Sequence, residues 1–309
     1  YKKHGFIGMG PPCRSSWSNR VHTCEGMRVE GVAGVFDVLG GDWQNAVYRI
    51  TRISGGAALK GEAGAGAGAV RFKLYHFGDA IPLSDVLPVF EHLGFKVIDE
   101  AGPHVVDMTT AGRGKLTIHN FGLTSATGAS VDLDRIRDNF HDTFERVWIG
   151  EVESDGFNAL VAYARLASSE VMVLRAICKY LLQARIPFSQ AYMEQTLVAN
   201  PRMAGDMVKM FQALFDPSAA DGAGAQKRIR RRILRNLEAV ESADQDRILR
   251  RYLNLLDSML RTNFYQADAS GNTKPWLSFK LDSQKIDELP VPKPFREIFV
   301  YSPRIEGVH

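Results

Sequence analysis

The order of strand and helix patterns that follows residue 70 constrains the fold of this 309-residue chain more than any other feature. A strand is indicated where polar and apolar residues alternate with a period of two, and a helix where apolar residues return every three or four positions. Ser84 and Asp85 form a good N-cap, and Gly94 suits the end of the same helix. The patterns predict a strand at 71–77, a helix at 84–93, strands at 95–98 and 115–121, and a helix at 132–148.

This order makes up most of a ferredoxin-like βαββαβ unit, so the predicted fold class is α+β. The closing strand is not visible, because residues 150–155 are short of apolar side chains and acidic. Three strands leave one edge of the strand at 71–77 without a neighbour. We expect that edge to pair with a strand from elsewhere in the protein or with another subunit.

The patterns on either side of this unit are of different kinds. Residues 1–69 are rich in glycine, with a short helix predicted at 42–50 and a linker at 54–69. The patterns after residue 155 predict helices through 156–215, a small-residue linker at 218–225, helices at 226–241 and 243–264, and a strand at 295–301.

Composition narrows the class of protein. Apolar residues make up 45% and charged residues 24% of the chain, as in soluble globular proteins. No stretch approaches 18 uninterrupted apolar residues, so we expect no membrane helix, and the first residues do not resemble a secretory signal. Three widely spaced cysteines fit a reducing cytoplasm. The net charge of +3 provides no general attraction for nucleic acid.

One segment of the chain is strongly basic. Residues 227–235 carry six cations, which could bind phosphate. Acidic residues follow at once, an apolar stripe lies between the cations, and aromatic stacking residues are absent. We therefore interpret the run as a solvated, ion-paired helix face and expect no nucleic-acid partner.

Two further motifs lack the context that their chemistry needs. Gly64, Gly66 and Ala69 have the spacing of a dinucleotide-binding fingerprint, but a strand follows them where a helix is required. His22 and Cys24, even with Cys13, lack the paired spacing of a zinc site. No arrangement of a nucleophile, an acid or a base can be argued from spacing. Patterns alone thus predict no catalytic, metal-binding or cofactor-binding residue.

Blocks of sequence over residues 70–309 resemble the large NAD-specific glutamate dehydrogenases of bacteria, which carry ACT domains in their N-terminal half. The blocks follow the family's order, which makes the resemblance more specific than any single motif. They are LSDVLPVFEHLGFKVIDE (83–100), DGFNALV (155–161), LRAICKYL (174–181), PFSQ (187–190), DQDRILRR (244–251), LRTNFYQ (260–266), KPWLSFKL (274–281) and EIFVYSPRIEGVH (297–309).

The resemblance implies a domain order and a reaction. Residues 70–150 would be an ACT-like βαββα unit, 151–217 a helical motif and 226–309 the lead-in to the catalytic domain, whereas 1–69 do not resemble the family. The parent enzyme, active in amino-acid catabolism, would convert L-glutamate, NAD and water to 2-oxoglutarate, ammonium and NADH, as a cytoplasmic homo-oligomer. The catalytic and NAD-binding residues would lie beyond His309, so this fragment alone is expected to be inactive.

A second interpretation is a stand-alone ACT-type module that senses an amino acid without catalysis. In such units the turn after the first strand and the following helix N-terminus present backbone amides that suit a carboxylate. The candidate effector-binding residues are Gly78, Asp79 and Gly94. Because that turn holds no basic residue, a role in packing alone is favoured.

Overall fold

The computed structural model describes residues 70–107, 114–219, 221–267 and 274–309, together with the strand backbones at 22–24, 27–29 and 47–52. Two units contain them: one of residues up to 87 together with 96–128, and one of residues 88–95 and 129–309.

The first unit is built on a five-stranded sheet. Its strands are β3 (Val47–Arg52), β4 (Val70–Phe77), β5 (Phe95–Glu100), β6 (His104–Asp107) and β7 (Lys115–Ser125), preceded by the antiparallel pair β1 (His22–Cys24) and β2 (Met27–Val29). The order across the sheet is β3–β4–β7–β5, with β6 also paired to β7. The strands predicted at 71–77, 95–98 and 115–121 are confirmed.

Strand β4 has a neighbour on each side, since it pairs antiparallel with both β3 and β7. The edge that the sequence left open is thus paired by residues 47–52 of the same chain. The helix predicted at 42–50 is wrong in the part that is described, because 47–52 form a strand. The apolar residues of such a short run fit either a helix or a strand until a partner strand is known.

The second unit contains most of the helices. Helix α1 (Leu83–His92) confirms the helix predicted at 84–93, and its residues from 88 onwards belong to this unit. It continues with α2 (Leu133–Trp148), a 3-10 turn (Gly156–Asn158), α3 (Ala159–Tyr163), α4 (Ser168–Gln183), α5 (Gln190–Ala199), α6 (Pro201–Phe215), α7 (Gly222–Leu237) and α8 (Ala243–Ser258).

Side-chain caps set several of these helix starts. Ser189 and Ser242 accept hydrogen bonds from backbone amides in the first turns of α5 and α8, and Pro201 opens α6, where no amide partner is needed. Asp221 caps α7 through the amide of Gly224. That cap explains why α7 begins inside the stretch predicted as a linker.

A four-stranded antiparallel sheet completes the second unit. Its strands are β8 (Met259–Thr262), β9 (Leu277–Leu281), β10 (Glu297–Ser302) and β11 (Ile305–Val308), in the order β11–β10–β9–β8. The sequence predicted only β10 and extended α8 to residue 264. Helix α8 instead ends at Ser258, because the residues that follow pair with β9, a partner too distant along the chain to be seen in a local pattern.

One face of this sheet packs on the helices. Phe279 and Phe299 are fully buried. The ring of Phe299 lies 5.6 Å from that of Tyr180 on α4, and the ring of Phe279 lies 6.1 Å from that of Phe211 on α6. Sheet and helices therefore share one core. None of the helices in the described part of the chain has the length and apolar content that a bilayer crossing needs.

Candidate functional site

The turn after β4 contains two of the three predicted effector-binding residues. Gly78 has a φ of +117° that favours glycine. Its amide donates to the carbonyl of Lys115 at 2.9 Å, and its carbonyl accepts from the hydroxyl of Thr117 at 2.7 Å. The Asp79 carboxylate lies 3.8 Å from the ammonium of Lys115. The amide proposed to bind a carboxylate is thus already bonded to the protein.

The third predicted residue, Gly94, belongs to the second unit. Its φ is +86°, and its carbonyl accepts a hydrogen bond from the Tyr163 hydroxyl at 2.6 Å. A Cβ at this position would lie 2.7 Å from the Tyr163 ring. These contacts give Gly94 a packing role at the end of α1.

His119 on β7 is buried, with both ring nitrogens engaged. Nε2 accepts from the amide of Ile81 at 3.1 Å, so the ring proton lies on Nδ1, which donates to Glu100 at 2.6 Å. This geometry gives His119 a structural role.

A group of charged and polar side chains surrounds the buried Arg175 on α4. We name Arg175, Asp155, Asn158 and Glu153 the Arg175 cluster. Nε and Nη2 of Arg175 each donate to Asp155 at 2.7 Å, and Nη2 also donates to the side-chain oxygen of Asn158 at 2.7 Å. Glu153 lies 3.6 Å from Nε and pairs with Lys179 at 3.3 Å. The guanidinium is therefore met by carboxylates and an amide from the segment that leads into the 3-10 turn.

Burial and charge oppose each other in this cluster. Burial acts to lower the pKa of Arg175, but the charge and hydrogen bonds of Asp155 outweigh it, so the pKa lies above its usual value. Burial raises the pKa of Glu194, a neighbour on α5, and Gln190 and Gly156 partly offset that rise by hydrogen bonding. Burial also raises the pKa of the Cys178 thiol to about 12, so that thiol stays protonated near neutral pH.

The Arg175 cluster orients elements of the fold and has no reactive chemistry. A charged, paired guanidinium that is 1% exposed neither transfers protons nor reaches a ligand in solvent. It fixes α4 against the 3-10 turn in one geometry. Sequence patterns did not predict this cluster, although a lone arginine between Leu174 and Ala176 on an apolar helix face is a detectable signal.

A second buried polar contact joins α4 to the sheet. The Tyr180 hydroxyl donates to Glu297 on β10 at 2.6 Å, and Ser283 donates to the same oxygen at 3.2 Å. Burial, followed by the hydrogen bond and charge of Glu297, raises the pKa of Tyr180 above its usual value. The tyrosine therefore remains a donor throughout the physiological range of pH.

The basic run on α7 makes ion pairs within the chain. Arg232 donates to Asp206 on α6 at 2.6 Å, Arg230 to Asp257 on α8 at 2.8 Å, and Arg228 to Asp221 at 3.2 Å. This is the ion-paired helix face that the sequence predicted. Among the described residues, no group of three or more His, Cys, Asp or Glu side chains could hold a metal ion.

Three family models match successive parts of the chain. Residues 56–136 match the ACT3 domain of glutamate dehydrogenase, and residues 152–217 match its helical motif 3. Residues 232–309 match the catalytic domain of bacterial NAD-glutamate dehydrogenase. The order of the three matches is the order predicted from the sequence blocks.

Curated relatives match the same region. Over 240 residues, 78% of this chain, it is 42% identical to the NAD-specific glutamate dehydrogenase of Halomonas elongata. It is 41% identical to that of Pseudomonas aeruginosa over 77% of the chain, and 35% identical to that of Mycobacterium tuberculosis over 75%. The chain belongs to the bacterial NAD-specific glutamate dehydrogenase family. It spans about 15% of the length of these relatives.

The boundaries of the glutamate dehydrogenase segments do not coincide with the boundaries of the packed cores. The boundary between the helical motif and the start of the catalytic domain crosses a single core, in which Tyr180 contacts Glu297 and Phe211 contacts Phe279. The ACT3 match begins at residue 56, within the stretch that the sequence analysis separated from the family.

The family name implies NAD as the cofactor, but the described residues do not fit a dinucleotide site. Such a site needs parallel strands and a glycine-rich turn that leads into a helix. The strands of the β8–β11 sheet are antiparallel throughout, and β4 leads to α1 through a turn that holds one glycine, Gly78. The Gly64–Ala69 motif lies outside the described residues.

Proposed function

We propose that this chain is part of a polypeptide that oxidises L-glutamate with NAD and water to 2-oxoglutarate, ammonium and NADH. The observation that carries the proposal is the continuous 240-residue match at 42% identity to a relative named for that enzyme. The matches to the ACT3 domain, helical motif 3 and catalytic domain support it, because they occur in one chain and in one order.

Within that polypeptide we propose that residues 70–309 have structural and regulatory roles, while the groups that bind NAD and perform the chemistry lie in parts that this chain does not contain. The buried Arg175 cluster and the Tyr180–Glu297 contact favour this assignment, since both fix elements and neither presents a reactive group. The parent would act in the cytoplasm as a homo-oligomer. The buried, free thiol of Cys178 is compatible with a reducing compartment.

We further propose a ferredoxin-like, ACT-like arrangement for the unit that begins at β4. The order β4–β7–β5 is that of the first, third and second strands of such a unit. Strand β3 lies beside β4, where a closing strand would lie. In this proposal the strand that completes the sheet precedes the unit in sequence.

The assay of the parent reaction compares two purified proteins: the full-length polypeptide that contains this chain, and the 309-residue chain alone. We expect glutamate-dependent NADH formation by the full-length protein and none by the chain above a no-protein control. Activity of the chain alone would contradict the placement of the catalytic residues. An inactive full-length protein would contradict the proposed reaction.

Binding of an amino-acid effector at Gly78, Asp79 and Gly94 stays a prediction. The bonded amide of Gly78 and the carboxylate of Asp79 favour the alternative, in which the turn only packs. Calorimetry of the chain with the twenty amino acids tests it. Binding that is lost in the Gly78→Val variant would support an effector site. If no amino acid gives a heat of binding, the result would support a role of the turn in packing.

A further inference from the structure

The outward face of the β8–β11 sheet has no cover within the described residues. Ile298 and Val300 on β10 are 41% and 36% exposed, whereas their neighbours Phe299 and Tyr301 are buried against the helices. Trp276, directly before β9, and Ile305 on β11 are 46% and 71% exposed. Single exposed apolar residues are common, but a contiguous set on one sheet face indicates an interaction surface.

Strand register places two cations beside this apolar set. Arg261 on β8 lies opposite Lys280 on β9, and Lys280 lies opposite Ile298 on β10. Both cations are exposed, and neither makes an ion pair with any residue that the structure describes. Like charges directly opposite each other on a sheet are destabilising, so this pair favours an anionic partner.

Among the described residues, the face carries no carboxylate that is free to neutralise the pair, because Asp282, directly after β9, already pairs with Arg296 and Lys285. Its positions are Arg261 on β8; Ser278 and Lys280 on β9, with Trp276 before it and Asp282 after it; Ile298, Val300 and Ser302 on β10, with Arg296 before it; and Ile305 and Gly307 on β11, with His309 after it. The basic end of the face is the row that runs from Arg261 through Lys280 to Ile298. We name this whole set the outer sheet face.

We propose that the outer sheet face binds an amphipathic helix from the remaining catalytic-domain polypeptide of the parent enzyme. The apolar stripe of the helix would cover Ile298, Val300 and Trp276, and one or two carboxylates would pair with Arg261 and Lys280. The inference rests on the proposed function, since it takes the occupant from the part of the family polypeptide that this chain does not contain.

Three observations support that occupant. The opposite face of the same sheet is already covered by α4 and α6, and helices on both faces are a stable way to bury a sheet. The relatives are several times longer than the chain, which spans about 15% of their length, so ample polypeptide exists to supply the helix. The same face of a second copy would bring the same cations and only a carboxylate that is already paired, Asp282, which makes it a poorer partner.

The experiment measures cysteine labelling at position 300. Val300→Cys is introduced into the full-length parent and into the 309-residue chain, and the rate of labelling by N-ethylmaleimide is followed at that position by peptide mass spectrometry. Ile298→Cys serves as a second variant, and Ala239→Cys, at an exposed position away from the sheet, measures the reactivity of an open site. We expect the thiol introduced at position 300 to react at least about tenfold more slowly in the full-length protein than in the chain, because a covered site is labelled only through opening.

The charge of the partner is tested by Lys280→Glu in the full-length Val300→Cys protein. We expect faster labelling of the introduced thiol, because a glutamate would repel the carboxylate-bearing helix, whereas Arg235→Glu on the exposed face of α7 should leave the rate unchanged. Equal rates in the full-length protein and the chain would overturn the proposal. Protection that rises with concentration in the chain alone would also overturn it, in favour of a second copy.

Glutamate-dependent NADH formation by the same full-length preparation keeps the two proposals separate. An active enzyme whose introduced thiol is fully reactive would refute the docking surface alone. An inactive protein whose introduced thiol is protected would refute the dehydrogenase reaction and leave the surface supported.

Discussion

At the scale of single residues, Arg175 shows how much a buried charge depends on its partners. We expect Arg175→Met to lower the free energy of unfolding by about 3–5 kcal/mol, because Asp155 would be left buried without its counter-ion. Urea denaturation followed by circular dichroism measures the change. Arg250→Met is the matched control, since Arg250 is exposed and pairs with Asp246 one helical turn away, a contact worth under about 0.5 kcal/mol. Similar losses in both variants would contradict the role of burial.

Gly94 offers a second test at this scale, because two costs can be separated there. Gly94→Ala should destabilise the second unit by about 1–2 kcal/mol for the left-handed backbone and by about 1–3 kcal/mol more for the collision with Tyr163. Gly150→Ala carries only the first cost, since its φ is +76° and no atom lies within 4 Å of the added Cβ. Thermal unfolding of the two variants gives the difference. Equal melting temperatures would show that the Tyr163 ring moves away from the added methyl group without loss of stability.

Sequence patterns predicted the contacts of some individual residues and not of others. The ion pairing of the α7 cations was foreseen, although the partners are Asp206, Asp221 and Asp257 and not the acidic residues that directly follow the run. The Arg175 cluster was not, since its partners come from a segment about 20 residues away whose contact with α4 depends on the packing of both. Gly94 was recognised as a helix end, but its contact with Tyr163, 69 residues away, could come only from the fold.

At the scale of elements, the strands of the first unit illustrate the same limit. The alternation in 71–77 was enough to identify β4, because a period of two is a property of the strand itself. Its partner β3 was mistaken for a helix, since short apolar runs have no decisive period. The four strands β8–β11 were mostly missed for a related reason: each is four to six residues long, and each is defined by pairing with the others.

The pairing of β4 with β3 leads to a prediction about assembly. Removal of residues 1–69 deletes β3 and leaves one edge of β4 with unpaired backbone groups, which can pair with the same edge of another copy. We expect residues 70–309 to self-associate at micromolar concentration, and to do so more strongly than the 309-residue chain. Light scattering at equal concentrations measures this difference.

A point variant provides the control for that deletion. Ile50→Pro in the full chain keeps the length and removes a backbone donor from β3, so it should weaken the β3–β4 pairing and move the chain towards the behaviour of the truncated form. A strictly monomeric 70–309 protein would count against the role of β3, as would equal association of the truncated and complete chains.

At the scale of the whole molecule, the family segments and the folding units do not coincide. The helical motif 3 match ends at residue 217 and the catalytic-domain match begins at 232, yet α4 and α6 provide the inner cover of the β8–β11 sheet. Phe279, Phe299 and Tyr301 are buried on the face of the sheet that packs on these helices. The order of the family segments along the chain therefore does not reveal the core that two of them share.

This shared core predicts which pieces of the chain can fold. Residues 226–309 alone would expose the inner face of the sheet and leave Glu297 without Tyr180, so we expect no cooperative unfolding transition in urea. Residues 152–309 restore α4 and α6 and should unfold cooperatively, as should the complete chain, which serves as the positive control. The measurement is near-ultraviolet circular dichroism, which reports the fixed packing of Phe279, Phe299 and Tyr301. A cooperative transition in 226–309 alone would mean that the start of the catalytic domain forms its own core, and the helical motif would then be an attachment to that domain rather than half of its interior.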